Sequence, residues 1–433
     1  MLKVLGSTWA LLLGILLLMV GNGLQGSLIG IRGAIENFST TELSVITSAY
    51  FAGFLFGSRM APEMIRRVGH VRVFAALGSF ISAVLILYPT ITEPWAWIAL
   101  RVVFGFSFSG VYVTAESWLN NSSTNETRGQ SLSLYVMAQM LGIVASQALL
   151  NVADPAGFVL FVIPSVLVSL SFAPILLSAT KSPTFETTKP MTLKQIYEIS
   201  PLGCVGMFMM GAVFSAQFGM ASIYGTRAGF SVAEISIFVS AIFIGGMLFQ
   251  YPFGWVSDRM DRRLVILAAA IVGGIAGLLG LAFGGSFEAV LFAAFIMGGM
   301  SNPLYALLIA YTNDYLQVED MAAASGGLLF INGLGAVLGP VITGWMLTTM
   351  GPGGFWAYLA FFMFTLAAFV TWRMTQRASV YAEEAEDYDA VSYAPIMPTG
   401  TMVAVEAAQD YYAENVDSEE EDTANEPDPL DSK

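Results

Sequence analysis

Charge is what this sequence has least of. Asp, Glu, Lys and Arg make up 12% of 433 residues and hydrophobic residues 56%, whereas a water-soluble domain is about one quarter charged. Water cannot be the solvent of such a chain. A single cysteine, Cys204, and a single histidine, His70, exclude a disulfide framework, a zinc cluster and any catalytic apparatus that needs two histidines. No P-loop signature occurs, so ATP is not expected to supply energy directly, and no cofactor, metal or enzymatic role is expected. The net charge of −14 is a property of one segment: residues 375–433 hold sixteen acids against Arg377 and Lys433, and the remainder is neutral. The acidity therefore carries no information about what the apolar part handles.

What is present is length of hydrophobic run. Twelve stretches, the first at 7–31 and the last at 354–373, are long enough to cross a hydrocarbon core of about 30 Å, which takes about twenty helical residues. The first continues through Gly23, Gln25 and Gly30 with no small-residue cleavage site after a short core, so it is expected to remain attached as a membrane helix. Lys and Arg gather in loops that stay in the cytoplasm. With both ends inside, that side takes fifteen of them, the outside takes Arg32 and Arg227, and Arg101 is left within the membrane. The expected location is the plasma (inner) membrane, multi-pass, with both termini cytoplasmic.

The chain also contains one stretch twice. Phe38, Ser39, Glu42, Ser44, Ser48, Ala49, Phe51, Gly53 and Arg67 recur 192 positions later as Phe230, Ser231, Glu234, Ser236, Ser240, Ala241, Phe243, Gly245 and Arg259, and Gln25 and Gly33 recur as Gln217 and Gly225. A repeat of this length means duplicated architecture. Ser39 with Glu42 and Ser231 with Glu234 both read S-x-x-E, the capping box, and Phe38 against Leu43 and Phe230 against Ile235 are placed as hydrophobic staples. The expected fold is an all-α membrane protein, twelve transmembrane helices in two pseudo-symmetric six-helix bundles. The expected divisions are 1–179 for the first bundle, 180–200 for a cytoplasmic linker and 201–377 for the second bundle. The acidic segment 378–433 cannot bury enough apolar surface to order itself and is expected to be a disordered cytoplasmic tail.

Ahead of the ninth stretch, Gly254-Trp-Val-Ser-Asp258-Arg259-Met-Asp-Arg262-Arg263 resembles motif A of the major facilitator superfamily, G-x-x-x-D-R-x-G-R-R, with Asp261 where the family usually has Gly. Twelve spans with a long middle loop are also that family's layout. Within it, Glu116-Ser-Trp-Leu119 and Arg67-Val-Gly-His70 resemble the YcaD-like transporters. The resemblance implies that the motif's Asp faces the positive end of a helix in the opposite half and holds a cytoplasmic gate shut. The first copy departs from the motif, with Pro62 for Gly254 and Arg66 for Asp258. We therefore expect the lock's polarity to be swapped, Arg66 and Arg67 facing Glu319 and Asp320, and Asp258 facing Arg128; the plain alternative is ordinary positive-inside arginines beside ordinary capping acids.

Charge in the hydrocarbon core is costly, so survivors are functional suspects. Arg101, Gly105, Phe108, Tyr112 and Glu116 step by three or four and share one face of the fourth span. The resemblance gives Arg101 a part in proton coupling; otherwise it is a cation reaching the outer interface among Trp95 and Trp97. Glu116 is either a proton carrier or the partner of Arg67 or Arg72, and Asp314 a gating or coupling group or the partner of Arg259 or Arg263. In the family the cavity is lined by the first, fourth, seventh and tenth spans. On these the sequence places Asn22 and Gln25, Tyr112, Gln217, and Asn302 and Tyr305, which serve either as substrate contacts or as helix-to-helix hydrogen bonds.

These features point to a secondary active transporter of a small polar or amphiphilic organic solute, working by alternating access. With Arg101 alone at depth, a multiply anionic cargo fits poorly. The different-class alternative is a transporter-like receptor that signals through its acidic tail. Expected partners are the lipid bilayer, a small-molecule substrate and protons as a candidate coupling ion, with no nucleic acid and a monomeric state.

Overall fold

Gly33, Asn37 and Ser39 turn the chain back on itself between its first two helices, and Gly225, Gly229 and Ser231 do the same in the second half. In a computed structural model describing residues 2–122, 125–177, 191–316 and 318–376, the first helix α1 spans Leu2–Ile35 and α2 spans Thr40–Val68. At their corner Asn37 takes the left-handed conformation, φ 62°, and the Phe38 amide reaches back to the Gly33 carbonyl at 2.8 Å. This Schellman-type ending satisfies carbonyls the helix leaves open. Its counterpart uses Gly229 at φ 80° and the Phe230 amide on the Gly225 carbonyl at 2.9 Å. Both capping boxes are formed: the Ser39 and Ser231 hydroxyls each accept from the N3 amide, and Glu42 and Glu234 each accept from the cap amide at 2.8 Å. A Cβ at Gly33 would strike Leu43 and touch Phe38 at 3.5 Å, and one at Gly225 would meet Ile235 at 2.7 Å and Phe230 at 3.5 Å. The duplicated residues thus build the same corner twice.

The other helices of the first half are α3 (His70–Leu87), α4 (Pro94–Ser122), α5 (Asn125–Leu149) and α6 (Val159–Leu177). A short α7 (Leu193–Ile199) precedes α8 (Pro201–Ser215), a π-helical turn (Ala216–Met220) and α9 (Ala221–Arg227), which form one continuous rod, followed by α10 (Val232–Ser257), α11 (Arg262–Ala282), α12 (Phe287–Asn313), α13 (Val318–Met350) and α14 (Gly353–Gln376). There is no strand among the described residues. Nine helices are long and apolar enough to cross a membrane among those residues, with apolar stretches in α5 and α6 falling short in length. The 29-residue α2 is not one of the nine; Ser44, Thr47, Ser48, Gly53 and Gly57 dilute its hydropathy, and all are buried against protein. Most of the expected linker and all of the expected tail lie outside the described residues, as do the side chains of Arg128 and Glu319.

Packing repeats along with sequence. α2 pairs with α4, α1 with α5 and α3 with α6, and in the second half α10 with α12, α8 with α13 and α11 with α14. Gly53 faces the Val102 carbonyl and Gly105 the Tyr50 carbonyl; Gly245 faces the Phe295 carbonyl and Gly298 the Ile242 carbonyl. Small residues at these points let helix backbones touch, which is how helices associate without a hydrophobic drive between them. The halves meet through α2 on α13, α5 on α10 and α1 on α9. The hydrogen bonds that cross between halves, among the described residues, all lie at the end remote from the start of α1. Ser48 donates to the Val337 carbonyl at 2.6 Å, Asn151 to Ser236 at 3.2 Å, Ser236 to the Gln147 carbonyl, and Arg227 to Thr40.

Candidate functional site

The helical register of α4 brings Arg101 and Tyr112 to the same side as Asn22 and Gln25 of α1. Arg101 is only 1% exposed, so it does not reach the outer interface; Trp95 is 70% exposed there, while Trp97 is buried and donates to the Tyr88 and Ile91 carbonyls. Its guanidinium donates to Gln25 Oε1 and lies 5.2 Å from the Tyr50 ring centre and 5.8 Å from that of Phe104. Aromatic faces offer a buried cation partial compensation. None of the ion pairs among the described residues includes Arg101. Below it, Asn22 Nδ2 donates to the Tyr112 hydroxyl at 3.0 Å and the Tyr50 hydroxyl at 3.4 Å, and Tyr112 donates to Met19 Sδ at 3.2 Å. One turn further along α4, fully buried Glu116 accepts from the Tyr135 hydroxyl at 2.8 Å. Tyr135 of α5 is thus one of the partners of Glu116 beside the Asn22–Tyr112 layer.

In the second half the chemistry at matching positions is different. Gln217 sits in the π turn and exchanges hydrogen bonds with Ser301, 2.9 Å outward and 3.0 Å back. A π turn inside an α-helix displaces one residue from the regular register and is frequent at functional positions. Here it puts Phe218 against Tyr50 of the other half, ring centres 6.1 Å apart, and against Phe214 at 5.7 Å. Asn302 donates to the Gly298 carbonyl at 2.8 Å, and Tyr305 is buried with its hydroxyl unbonded. Tyr305 is the counterpart of Tyr112: both pairs, Gly105 with Gly298 and Tyr112 with Tyr305, are offset by 193 residues. Gln25 and Gln217 each find a partner within their own half, Arg101 and Ser301.

Several buried polar atoms in this layer have no hydrogen-bond partner: Asn22 Oδ1, Gln25 Nε2, Tyr88 Oη, Arg101 Nε, Asn302 Oδ1 and Tyr305 Oη. Native interiors satisfy most such atoms, and each exception asks for a reason. Tyr50, Tyr88 and Ser301 belong to the layer although sequence reasoning did not single them out. Tyr50 shares the α2 repeat, but its counterpart is Ile242, so the repeat gave it no mark.

A separate charged cluster lies at the other end. Arg262 stands 3.6 Å from Asp258 and also pairs with Asp314, joining the end of α10 to the end of α12. The expected partners of Asp314, Arg259 and Arg263, are corrected by this: Arg263 is engaged by Asp261 at 2.7 Å, and Arg259 lies over the Trp255 ring at 4.3 Å. Asp261, where the resemblance has Gly, caps α11 by accepting from the Arg263 amide at 2.9 Å. The Gly254 carbonyl accepts from the Ser257 hydroxyl at 2.9 Å and from the Asp258 amide at 3.1 Å. Arg66 and Arg67, 66% and 74% exposed at the side chain, both close on Glu63 of their own helix, at 2.6 and 2.5 Å. Asp320 is exposed and forms none of these ion pairs. In this conformation the local pairing through Glu63 takes the place of the expected reach from Arg66 to the start of α13.

Two helical halves with repeated packing, apolar exteriors and a buried polar layer between them define a multi-span membrane transporter. The chain belongs to the Major Facilitator Superfamily, whose family model matches residues 11–231 and 202–398. It is similar to the uncharacterized MFS-type transporter YcaD of Escherichia fergusonii, with 26% identity over 340 residues covering 77% of this chain and 87% of the relative. The YcaD protein of a strain of Escherichia coli is 27% identical over the same coverage. Among solved structures, the fold is shared with a variant of the nucleoside transporter NupG, TM-score 0.71 at 13% identity over 84% of this chain and 99% of that one. It is also shared with the human organic anion transporter MFSD10 (TETRAN), TM-score 0.57 at 12% identity over 84% and 98%.

Proposed function

We propose that this protein is a secondary active transporter that carries a small polar or amphiphilic organic solute by alternating access, with proton coupling through Glu116. The observation that carries the reading is the buried layer of partnerless polar atoms on α1, α4 and α12, framed by Tyr50, Phe104 and Phe218. Leaving such groups unpaired is costly in a low-dielectric interior, and a polar guest between the halves repays that cost. Its apolar portion rests on the aromatic rings. Substrate contacts are Asn22, Gln25, Tyr112, Gln217, Asn302 and Tyr305.

The distribution of Lys and Arg supports an orientation with both termini in the cytoplasm, and the membrane we assign is the plasma membrane. The end locked by Ser48, Asn151, Ser236 and Arg227 is then the outer one, so the conformation is closed to the outside. Opening requires these bonds to break while α2 and α13 hinge about their paired contacts. Glu116, one turn from Tyr112, couples proton uptake to occupancy of the same layer. Arg262 with Asp258 and Asp314, and Arg66 and Arg67, which would leave Glu63 for Glu319 and Asp320, are the groups that reorganise at the cytoplasmic gate.

The test is thermal-shift screening of the purified protein against metabolites and amphiphilic drugs, followed by flux in proteoliposomes holding a pH-sensitive dye. A hit that moves down its gradient only with the protein present, and acidifies or alkalinises the lumen in wild type but not in Glu116→Gln, supports the reading. Flux with no pH change in wild type removes the proton; absence of flux for every binder removes transport.

A further inference from the structure

Arg101 is a cation held inside the bundle with no carboxylate of the described residues paired to it, and unused donors gather around it. Its Nε has no partner, another of its N–H groups donates to Gln25 Oε1, and Gln25 Nε2 is left with none. The Tyr88 hydroxyl lies beside the same pair, also unbonded, on a ring packed edge-on against Trp97 with centres 5.4 Å apart. Arg101, Gln25 and Tyr88 are each at most 1% exposed. They come from three different elements, α4, α1 and the residue that ends α3, so the convergence is made by tertiary packing.

We propose that Arg101, Gln25 and Tyr88 form the binding site for the carboxylate of an amphiphilic, singly charged organic acid. This rests on the transport reading above and names its substrate class. Two N–H donors and a hydroxyl able to donate, with no carboxylate among them, complement a group that only accepts, and a guanidinium with an unused Nε suits the planar two-oxygen geometry of a carboxylate. The charge count sets the valence. With no carboxylate of the described residues paired to Arg101, one negative charge neutralises the site, whereas a phosphate dianion would bury an excess charge. The ring faces of Tyr50 and Phe104 lie over the guanidinium, and Tyr50 in turn stacks on Phe218 of the other half. The acid's apolar body therefore lies along an aromatic wall that reaches the boundary between halves. Separation of the halves at that boundary is the route of entry.

The test uses the purified full-length protein and a matched series of probes: acetate, butyrate, 4-phenylbutyrate, the neutral 4-phenylbutanamide, 4-phenylbutyl phosphate and chloride. Unfolding midpoints are recorded against probe concentration for wild type, Arg101→Gln and Gln25→Glu. Binding to the folded state raises the midpoint, and 4-phenylbutyrate is expected to bind wild type at least about tenfold more tightly than its amide or phosphate analogue. Arg101→Gln is expected to lose that response. Gln25→Glu supplies Arg101 with an internal carboxylate of the same shape, so it is expected to raise the midpoint without ligand and to abolish the response to 4-phenylbutyrate. A strut that merely joins α1 to α4 predicts no such exchange of ligand response for basal stability.

Equal binding of acid and amide overturns the proposal, as does an undiminished response in Arg101→Gln, or Gln25→Glu that neither stabilises nor blocks. If chloride alone gives the full shift and 4-phenylbutyrate adds nothing, the site is one for inorganic anions and the organic acid is excluded. No response to any carboxylate in the series also overturns it. These are binding measurements, so a protein that binds the acid but shows no flux in proteoliposomes refutes transport while leaving the site intact.

Discussion

Tyr50 of α2 and Phe218 of the π turn lie ring over ring, 30° from parallel with centres 6.1 Å apart, across the boundary between the two halves. Next to them Gly219 presses against Thr47 of α2, and Gly26 of α1 sits where a side chain would meet the Phe218 ring at 3.6 Å. The boundary is therefore backbone-close on both sides of this stack. At the remote end Gly30 stands against Ser222 and Ile223, where a Cβ would come within 2.9 Å of the Ile223 amide nitrogen.

A wedge at this point should bias the protein toward an open remote end. Gly30→Leu cannot be accommodated by side-chain motion alone, since main chain is among the atoms it meets. In a background with the one cysteine replaced (Cys204→Ala), a cysteine introduced as Ser222→Cys is expected to react with a membrane-impermeant maleimide several-fold faster when Gly30→Leu is also present, with transport reduced. An unchanged labelling rate would mean that the α1 and α9 contact does not govern closure.

Gln217 and Ser301 hold each other by two hydrogen bonds and neither is exposed beyond a few per cent. Ser301→Ala leaves the Gln217 amide buried without its partner. The expected cost is about 1–3 kcal/mol, read as a lowered midpoint, whereas Gln217→Leu with Ser301→Ala, which removes both groups, is expected to recover most of it. A double mutant no more stable than Ser301→Ala would show that Gln217 is satisfied in another way.

The two capping boxes are independent copies of one device at separate corners. Ser39→Ala and Ser231→Ala are each expected to cost about 1 kcal/mol, and the double variant to show the sum, because sites this far apart without shared partners behave additively. Chemical unfolding in mild denaturing detergent measures it. Clear non-additivity would indicate that the two halves unfold as a coupled unit whose corners communicate.

How far the molecule could be read from its sequence differs sharply between these corners and the layer they position. Gly33, Asn37, Phe38, Ser39 and Glu42 act on one another across a few residues, so their spacing alone specifies the turn, and its recurrence at Gly225 to Glu234 announces the second half. The partners of the polar residues are a different matter. Gln25 and Arg101 are 76 residues apart, and nothing local to either says that they meet, nor that Tyr88 at the end of α3 completes the group. The equivalence of Tyr112 with Tyr305 was hidden by a one-residue change of offset, 192 at Gly53 and Gly245 but 193 at Gly105 and Gly298. Arg101 was readable as an intramembrane charge, but whether it would extend to the interface or fold inward depends on Gln25 and Tyr50 being there to receive it. Ion pairs were the least legible. Arg262 takes Asp314 while Arg263 is held by Asp261, a division that distance along the chain does not reveal.

Glu63 gives the same lesson a measurable form. The Arg66 and Arg67 guanidiniums, by hydrogen bonds first and charge second, hold its carboxyl below the usual range of a glutamate. A carboxyl whose folded pKa is depressed contributes stability above its unfolded pKa, about 4.3, and loses it as pH falls through the folded value. Wild type is therefore expected to be slightly more stable than Glu63→Gln at pH 7, with the two converging as pH falls below about 4, and with the difference shrinking in high salt because all three side chains are exposed. The same variant frees both arginines to reach toward the start of α13. If the cytoplasmic gate uses Arg66 with Glu319, Glu63→Gln should shift the protein toward the state closed on that side, and Arg66→Glu should abolish transport that Glu319→Arg restores. Failure of the charge swap to restore transport, with both proteins folded, would leave Arg66 and Arg67 as topology-setting charges paired only to Glu63.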